Sequence, residues 1–283
     1  MTEIHRARAQ FGERLRRLRE EAGLNGKQLA ETLGWAPSKV SKLETGKQTA
    51  TSEDVRGWAS AVQAAPQVLD DLLTDLRTVR FEYASWRRQL RAGTAPRQRV
   101  SGALEASAKT IRAFELDIVP GILQTPDYAR EVLTRLVALR GVPDDVPEGV
   151  RSRLRRQEAL YDSEKHFRFL LSEAALRSRP CPLPIYLAQL DRLIGLAGLD
   201  TVEIAVLRFN TELPVLTYGA YWIYDEALVL VETLTAELAL RDPEDVALHA
   251  SVFEQLWDVA VQGEAATDFI RELMVKLGGG RAA

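Results

Sequence analysis

The chain has 283 residues, of which 46% are hydrophobic and 27% are charged. These proportions exclude wholesale disorder, and the length predicts two globular domains. No apolar run approaches the roughly 18 residues of a membrane-spanning helix, and the charged N-terminus lacks the apolar stretch of a signal peptide, so we expect a cytoplasmic protein. One cysteine excludes an internal disulfide, and three dispersed histidines give no zinc-ligand spacing, so neither a metal nor another cofactor is expected.

The net charge of −3 is unevenly distributed along the chain. Residues 1–60 contain 11 lysines and arginines against 8 acidic residues, so the remainder of the chain is acidic. This asymmetry suits a basic module that faces phosphates, joined to an acidic module.

The first two helices are predicted from hydrophobic spacing and from the residues at their ends. Apolar residues recur at helical spacing from Ala7 to Ala22, and Gly23 would end this helix in a left-handed turn. Asn25 is a suitable N-cap for a second helix, and Gly34 would supply the positive φ of a tight turn after it.

Two further helices follow closely. Pro37 is suited to the first turn of the third helix, which Gly46 would end. Thr51 and Asp54 have the spacing of a capping box for a fourth. A short helix, a glycine turn and a second short helix are the arrangement that lets the second helix project into the major groove of DNA.

The N-terminal segment resembles the helix-turn-helix of phage repressors and of the xenobiotic-response-element (XRE) family over about residues 8–64. The residues that carry the resemblance are Gly23-Leu24-Asn25, Leu29-Ala30, Gly34, Val40-Ser41-Lys42-Leu43-Glu44 and Gly46. The resemblance implies base contacts by Pro37, Ser38, Ser41 and Lys42, and phosphate contacts by Lys39, Lys47 and Gln48.

The sequence departs from this family at the start of the second helix. Family members often have a DNA-contacting glutamine where this chain has Gly26, so that contact is absent or is supplied by Asn25 or Lys27. Lys42 is the best candidate for direct readout, because a lysine donates to guanine O6 or N7. Ser41 is equally suited to a base contact and to filling a helix crossing.

Arg19 and Glu44 have two interpretations. The resemblance favours a structural ion pair that holds the first helix against the end of the third, and the alternative is a phosphate contact by Arg19. We prefer the structural pair.

A helical connector is expected after Pro66. Apolar residues from Val68 to Leu90 have the spacing of one helix of about seven turns. Arginines follow around a Gly-Thr-Ala-Pro break, and they are either a solvated helix end or an extension of the phosphate-binding surface. They are Arg87, Arg88, Arg91, Arg97 and Arg99.

From about Phe81 onward, the sequence resembles the domain of unknown function that follows this helix-turn-helix in many actinomycete regulators. The matching residues are Val119-Pro120-Gly121-Ile122-Leu123-Gln124-Thr125-Pro126-Asp127-Tyr128-Ala129, Arg156-Gln157, Ser172-Glu173-Ala174-Ala175-Leu176 and Gln189-Leu190. Arg179 to Pro184 departs from the glycine-containing segment that members often have there.

The second domain is predicted to be α+β with a small, mainly antiparallel sheet, behind a mainly α N-terminal domain. Strands are expected at 109–116, 167–171, 201–209, 220–224 and 228–232, and helices at 127–140, 151–161, 187–196, 243–262 and 268–277. The predicted division is a helix-turn-helix domain at 1–65, a connector at 66–96, a regulatory domain at 97–277 and a flexible tail at 278–283.

No catalytic motif stands in a convincing context, so we do not expect an enzyme. Cys181 is more simply an inert thiol than a redox sensor, since no second cysteine or clear basic activator lies near it in the sequence. An aromatic patch is equally consistent with a ligand or partner surface and with ordinary strand packing. Its members are Tyr218, Tyr221, Trp222 and Tyr224.

These observations predict a sequence-specific transcriptional regulator, with a repressor-like helix-turn-helix, that binds double-stranded DNA as a homodimer. Its C-terminal domain would sense a small protein or ligand and support dimerisation, and the resemblance favours a small companion protein encoded nearby. The alternative is an antitoxin-like protein that sequesters its companion and binds DNA for autoregulation.

Overall fold

The computed structural model describes residues 3–80 and 82–279. The chain forms two compact units. One comprises the N-terminal residues through Glu82 together with Ala239–Asp242, and the other comprises Tyr83–Leu238 together with the residues from Pro243 onward. Within the described residues, no helix is both long and apolar enough to cross a bilayer.

The N-terminal unit contains five helices, and the first four confirm the predicted helices. They are α1 (Glu3–Glu21), α2 (Gly26–Leu33), α3 (Pro37–Glu44), α4 (Ser52–Ala61) and α5 (Pro66–Arg80). Asn25 and Thr51 form the capping boxes that begin α2 and α4. Gly23, Gly34 and Gly46 all have positive φ, as expected for glycines that end helices.

One apolar core holds these helices together. Leu15, Leu29, Val40 and Trp58 are nearly inaccessible to solvent and contribute from four different helices. At Gly12, a Cβ atom would lie 2.4 Å from the backbone oxygen of Glu44, so only glycine allows α1 to approach the end of α3 this closely.

The prediction of one seven-turn helix after Pro66 is wrong, because α5 ends at Arg80. The chain continues as β1 (Glu82–Ser85) and α6 (Trp86–Gln89). The apolar spacing fits both structures, since Phe81 and Tyr83 also alternate as in a strand. Long-range bonds hold the new direction: Trp86 donates its indole N–H to Thr233 O at 2.8 Å and its backbone N–H to Thr235 O at 3.1 Å.

The second unit alternates helices and strands. After α6 come α7 (Ala95–Ser107), β2 (Thr110–Glu115), α8 (Pro126–Arg140), α9 (Val146–Arg156), β3 (His166–Ser172), α10 (Glu173–Arg177), α11 (Leu183–Leu196), β4 (Val202–Leu207), β5 (Tyr221–Tyr224), β6 (Leu228–Glu232), β7 (Ala236–Leu240), α12 (Pro243–Val259), β8 (Val261–Gln262) and α13 (Gly263–Gly279). Short 3₁₀ helices follow β2 and α9, at Gly121–Leu123 and Gln157–Tyr161. Gly278 and Gly279, expected in a frayed tail, are helical, and residues 280–283 lie outside the described residues.

The sheet is larger than predicted and is mixed rather than mainly antiparallel. Among the described residues it has eight strands in the order β1-β7-β6-β5-β2-β3-β4-β8. The central strands β2, β3 and β4 are parallel, whereas β5, β6 and β8 pair antiparallel with their neighbours. The physical reason is connectivity: helices separate β2 from β3 and β3 from β4, and such crossovers return the chain in the same direction.

The middle of the sheet is packed across a small residue. Ala113 on β2 lies between Phe169 on β3 and Trp222 on β5 in the strand register. Because alanine projects so little, the two rings meet edge to face with centroids 6.1 Å apart. Trp222 also lines a cavity with residues of α7, α8 and α9. It therefore lies on the face of the sheet that these helices cover.

Candidate nucleic-acid interface

The helix α3 has one buried and one exposed face. Val40 and Leu43 are 2% exposed and belong to the core, whereas Ser38, Ser41 and Lys42 are exposed. Pro37 begins the helix and is also exposed. A short helix fixed along one side, with small polar and basic residues along the other, has the form of a recognition helix.

The turn between α2 and α3 is fixed by backbone bonds. Gly34 has φ +66° and donates its N–H to the carbonyls that end α2, while Trp35 N donates to Ala30 O at 2.8 Å. Ala30 is 1% exposed, as the close crossing of the two helices requires. The sequence therefore sets the angle at which α3 is presented.

Arg19 and Glu44 form the predicted ion pair between α1 and the end of α3. Arg19 Nε donates to Glu44 Oε1 at 2.6 Å and Arg19 Nη2 to Glu44 Oε2 at 3.2 Å. The side chains are 9% and 6% exposed. The hydrogen bond to Glu44 raises the pKa of Arg19 despite its burial. A third bond, from Arg19 Nη1 to Leu24 O at 2.8 Å, ties the turn after α1 to the same group.

Lys39, which the resemblance assigns to a phosphate, is held within the protein. Its ammonium lies 2.6 Å from Asp54 Oδ1 and 3.9 Å from the centroid of the Trp35 ring. Burial alone would raise the pKa of Asp54, but hydrogen bonds from Lys39 and Thr51 outweigh it and lower that pKa. Lys39 therefore braces α3 against the start of α4, and a phosphate would have to compete with a buried carboxylate for it.

The remaining predicted contacts lie at the two ends of the α2–α3 segment. Asn25 accepts the backbone N–H groups of Lys27 and Gln28 with Oδ1, so its amide nitrogen is the part left for an outside partner. Lys27, Lys47 and Gln48 are exposed. The backbone N–H of Gln48 donates to Lys42 O at 3.1 Å, which holds the loop after α3 against the helix end.

The predicted aromatic patch is divided between the two faces of the sheet. Trp222 and Tyr224 stack with centroids 6.1 Å apart and line a cavity of about 310 Å³. Tyr218 and Tyr221 instead line a mainly apolar cavity of about 290 Å³. Tyr218 is 93% exposed, whereas Tyr221 is buried against Phe114 and donates to His249 O at 3.3 Å. The four residues are therefore two pairs rather than one surface.

Two other predictions concern the arginines around the Gly-Thr-Ala-Pro break and the single cysteine. Arg97 is 8% exposed and donates to Ser101 and Glu237, so it cannot extend a phosphate-binding surface, whereas Arg91 and Arg99 are exposed. The side chains of Arg87 and Arg88 lie outside the described part of the chain. Burial raises the pKa of the Cys181 thiol, which lowers its reactivity at neutral pH.

Sequence reasoning missed a group of arginines in the second unit. Arg153 on α9 is buried and donates to Gln98 and Gln124, and Arg156 pairs with the fully buried Glu105. The only sequence signal was the run of three arginines in the last turn of α9. It did not indicate burial, because soluble helices seldom bury arginines. Which of them point inward depends on the packing of α7 against α9.

Three solved structures show distant similarity to the chain. The phospholipase D family member Nuc from Salmonella typhimurium is 10% identical with a TM-score of 0.37, over 64% of this chain and 96% of that one. NucT from Helicobacter pylori is 11% identical with a TM-score of 0.36, over 64% and 97%. TrmBL2, an archaeal chromatin protein, is 13% identical with a TM-score of 0.33, over 74% and 69%. These scores are too low to transfer a function.

Two family models match the sequence. A helix-turn-helix domain model matches residues 10–72, which include most of α1, all of α2 to α4 and the beginning of α5. The model described as "Domain of unknown function (DUF5753)" matches residues 98–272, which is more than half of the chain. No curated protein matches the sequence significantly. The chain thus belongs to the DUF5753 family and carries an XRE-like, DNA-binding helix-turn-helix ahead of that domain.

Proposed function

We propose that this protein is a sequence-specific transcriptional regulator that acts in the cytoplasm and inserts α3 into the major groove of its operator. The observation that carries the proposal is the exposed side of α3, where Ser38, Ser41 and Lys42 are free of the core while the opposite side is buried. The buried Arg19–Glu44 pair supports it, because it fixes the end of the inserted helix before DNA arrives.

Within this proposal, Lys42 reads a base. Its ammonium is exposed one turn along α3 from Ser38, and a lysine at such a position donates to guanine O6 or N7. Lys27 and Lys47 flank the helix and meet phosphates, which contribute affinity without sequence preference. Lys39 stays with Asp54 and positions the helix.

The test begins with genome-wide mapping of bound sites, which supplies the operator. Full-length Lys42→Ala should then bind that operator about 5- to 150-fold more weakly, the equivalent of about 1–3 kcal/mol for a base contact. Its affinity for random DNA of the same length should hardly change. Equal losses on both DNAs would show that Lys42 contacts a phosphate and does not read a base.

Lys47→Ala is the matched control, because it removes the same charge from the loop after α3. We expect it to lower the affinity for both DNAs alike and to reduce by about one the number of counterions released on binding, as measured from the salt dependence of the affinity. If neither variant changed DNA binding at low salt, the proposal that α3 faces DNA would be wrong.

We further propose that the protein binds as a homodimer and that its C-terminal domain serves binding rather than catalysis. Two-fold symmetry would match inverted half-sites about 34 Å apart, and footprinting of the mapped operator would measure that spacing. The signal received by this domain is a small companion protein or a small ligand. Capture of partners on the full-length protein, with and without operator DNA, distinguishes a regulator that is released from DNA from one that only sequesters its companion.

A further inference from the structure

A cavity of about 310 Å³ lies in the second unit, against the face of the sheet that carries Trp222 and Tyr224. Its volume is within the range of small-molecule sites. Its apolar lining includes Leu133 and Leu136 of α8 and Leu230 of β6. Its polar lining includes arginines from α7, α8 and α9. They are Arg97, Arg140, Arg153 and Arg156.

Two of these arginines are already neutralised by buried carboxylates. Arg156 Nε donates to Glu105 Oε2 at 2.8 Å, and its Nη2 also contacts that carboxylate. Arg97 forms a salt bridge with Glu237 through its Nη2. These pairs are structural, since both members of each pair contribute to the packing behind the cavity.

Arg153 is different, because it has only neutral partners. It is 8% exposed, and its guanidinium donates to Gln98 Oε1 at 3.2 Å and to Gln124 Oε1 at 2.5 Å. Among the residues that the structure describes, no carboxylate forms a salt bridge with it. Burial lowers the pKa of Arg153 to about 9, which reflects the cost of keeping this charge away from water. A buried guanidinium without a counterion is a costly arrangement that a bound anion would relieve.

Two further cationic side chains line the cavity with Arg153. The Nε atoms of Arg97 and Arg140 are buried and, within the described part of the chain, make no hydrogen bond. Both guanidinium groups also lie near the Trp86 ring, at 5.8 and 5.2 Å from its centroid. The cavity therefore combines several guanidinium groups with an aromatic wall.

The acidic residues that line the cavity do not cancel this charge. Glu115 accepts the indole N–H of Trp222 at 2.7 Å, and burial raises its pKa to about 8, so it is mostly protonated at neutral pH. Glu232 has a side chain that is 62% exposed and lies 3.9 Å from Arg97, on the solvent side. The four arginines thus outnumber by one the carboxylates that form salt bridges with them, which are Glu105, Glu232 and Glu237.

We propose that this cavity binds a small organic anion, with its carboxylate or phosphate group on Arg153 and its apolar body against Trp222 and the leucines of α8. This anion would be the ligand sensed by the C-terminal domain, so its regulatory importance rests on the function proposed above, whereas the binding site does not. Binding itself is measurable without DNA, so its failure and the failure of DNA recognition are separate results.

The experiment measures thermal unfolding and tryptophan fluorescence of the full-length protein with benzoate, phenyl phosphate, inorganic phosphate and the neutral analogue benzamide. Benzoate or phenyl phosphate should raise the melting temperature and change the fluorescence of Trp86 and Trp222, whereas benzamide should do neither. Arg153→Gln should weaken binding of the active anion about tenfold or more. Arg151→Gln, which removes an exposed arginine from the same helix, should bind as the unmodified protein does.

Several results would overturn the proposal. They are an absence of response to both organic anions, an equal response to benzamide, or unchanged binding in Arg153→Gln. A full response to inorganic phosphate alone would contradict the role of the apolar wall. If Arg153→Gln fails to fold, the test uses Arg140→Gln, which changes a half-buried residue that lines the same cavity. Weaker anion binding by this variant would support the site, and unchanged binding would refute it.

Discussion

Replacing Glu44 with glutamine would test whether the buried ion pair braces the proposed recognition helix. The variant keeps the size of the side chain but leaves the guanidinium of Arg19 nearly buried without its carboxylate. Breaking a buried pair in this way costs about 3–5 kcal/mol. We expect the lower end, about 3 kcal/mol, because Arg19 keeps its bond to Leu24 O and lies 3.5 Å from Glu20 Oε1. This loss corresponds to a folding equilibrium reduced on the order of 100-fold.

Hydrogen exchange followed by mass spectrometry measures this loss in the full-length protein, because peptides from α1 and α3 report on the N-terminal unit alone. Their most protected amides should exchange on the order of 100-fold faster in Glu44→Gln, and operator affinity should fall with them. Glu20→Gln is the matched control, since it removes an exposed carboxylate beside the same arginine and should cost less than about 1 kcal/mol.

The double variant Arg19→Met/Glu44→Met sharpens this test. Replacing a buried ion pair with apolar side chains is often neutral or stabilising, so the double variant should recover much of the stability lost by the single variant. Exchange in Glu44→Gln that is no faster than in Glu20→Gln would refute the bracing role. A double variant less stable than Glu44→Gln would refute the electrostatic explanation of the loss.

Two further predictions concern a close helix contact and a partly buried carboxyl group. Gly12→Ala should lower the free energy of unfolding of the N-terminal unit by about 1–3 kcal/mol, because the new Cβ meets backbone atoms of α3. Gly26→Ala is the control in the same unfolding assay. Its Cβ would have an ordinary 3.8 Å contact, so this variant should be neutral or stabilising. Glu115 has its pKa raised to about 8 in the folded state, so the folded protein retains a proton that the unfolded chain releases above its ordinary pKa of 4.5. Stability should therefore fall as the pH rises between these two values, by less than about 1.4 kcal/mol per pH unit because the group is partly accessible, and urea unfolding of Glu115→Gln should lack this slope; equal slopes in the two proteins would contradict the assignment.

The N-terminal unit was predictable because its determinants are local. The capping box of Asn25 with Gln28, the positive φ of Gly34 and the spacing of the core residues all act within a few positions. The Arg19–Glu44 pair spans 25 residues, and only the resemblance to a known family suggested it. The pairing of Lys39 with Asp54 was missed, because an exposed-looking lysine on a basic helix gives no sign of a buried partner.

The second unit was less predictable because distant residues decide its structure. Asp145 accepts hydrogen bonds from the N–H groups of Thr94 and Ala95 at 2.7 and 2.8 Å, so α7 is capped by a residue about fifty positions away. The local signal for the start of that helix is Pro96 in its first turn, which does not reveal the distant cap. The parallel strands did leave a trace in the sequence, since four of the five residues from Phe167 to Leu171 in β3 are apolar, and strands buried on both faces are rich in apolar residues.

The parallel centre of the sheet has a consequence for how the protein is made. β2 pairs with β3 across roughly fifty intervening residues, so neither strand gains its partner until a long stretch of chain has been synthesised. The contacts among α1 to α4 span far shorter stretches of sequence. Refolding should therefore show a fast phase from the helical segment and a slower one from the sheet, and during synthesis the helix-turn-helix would fold before the strands of the second unit have all emerged from the ribosome.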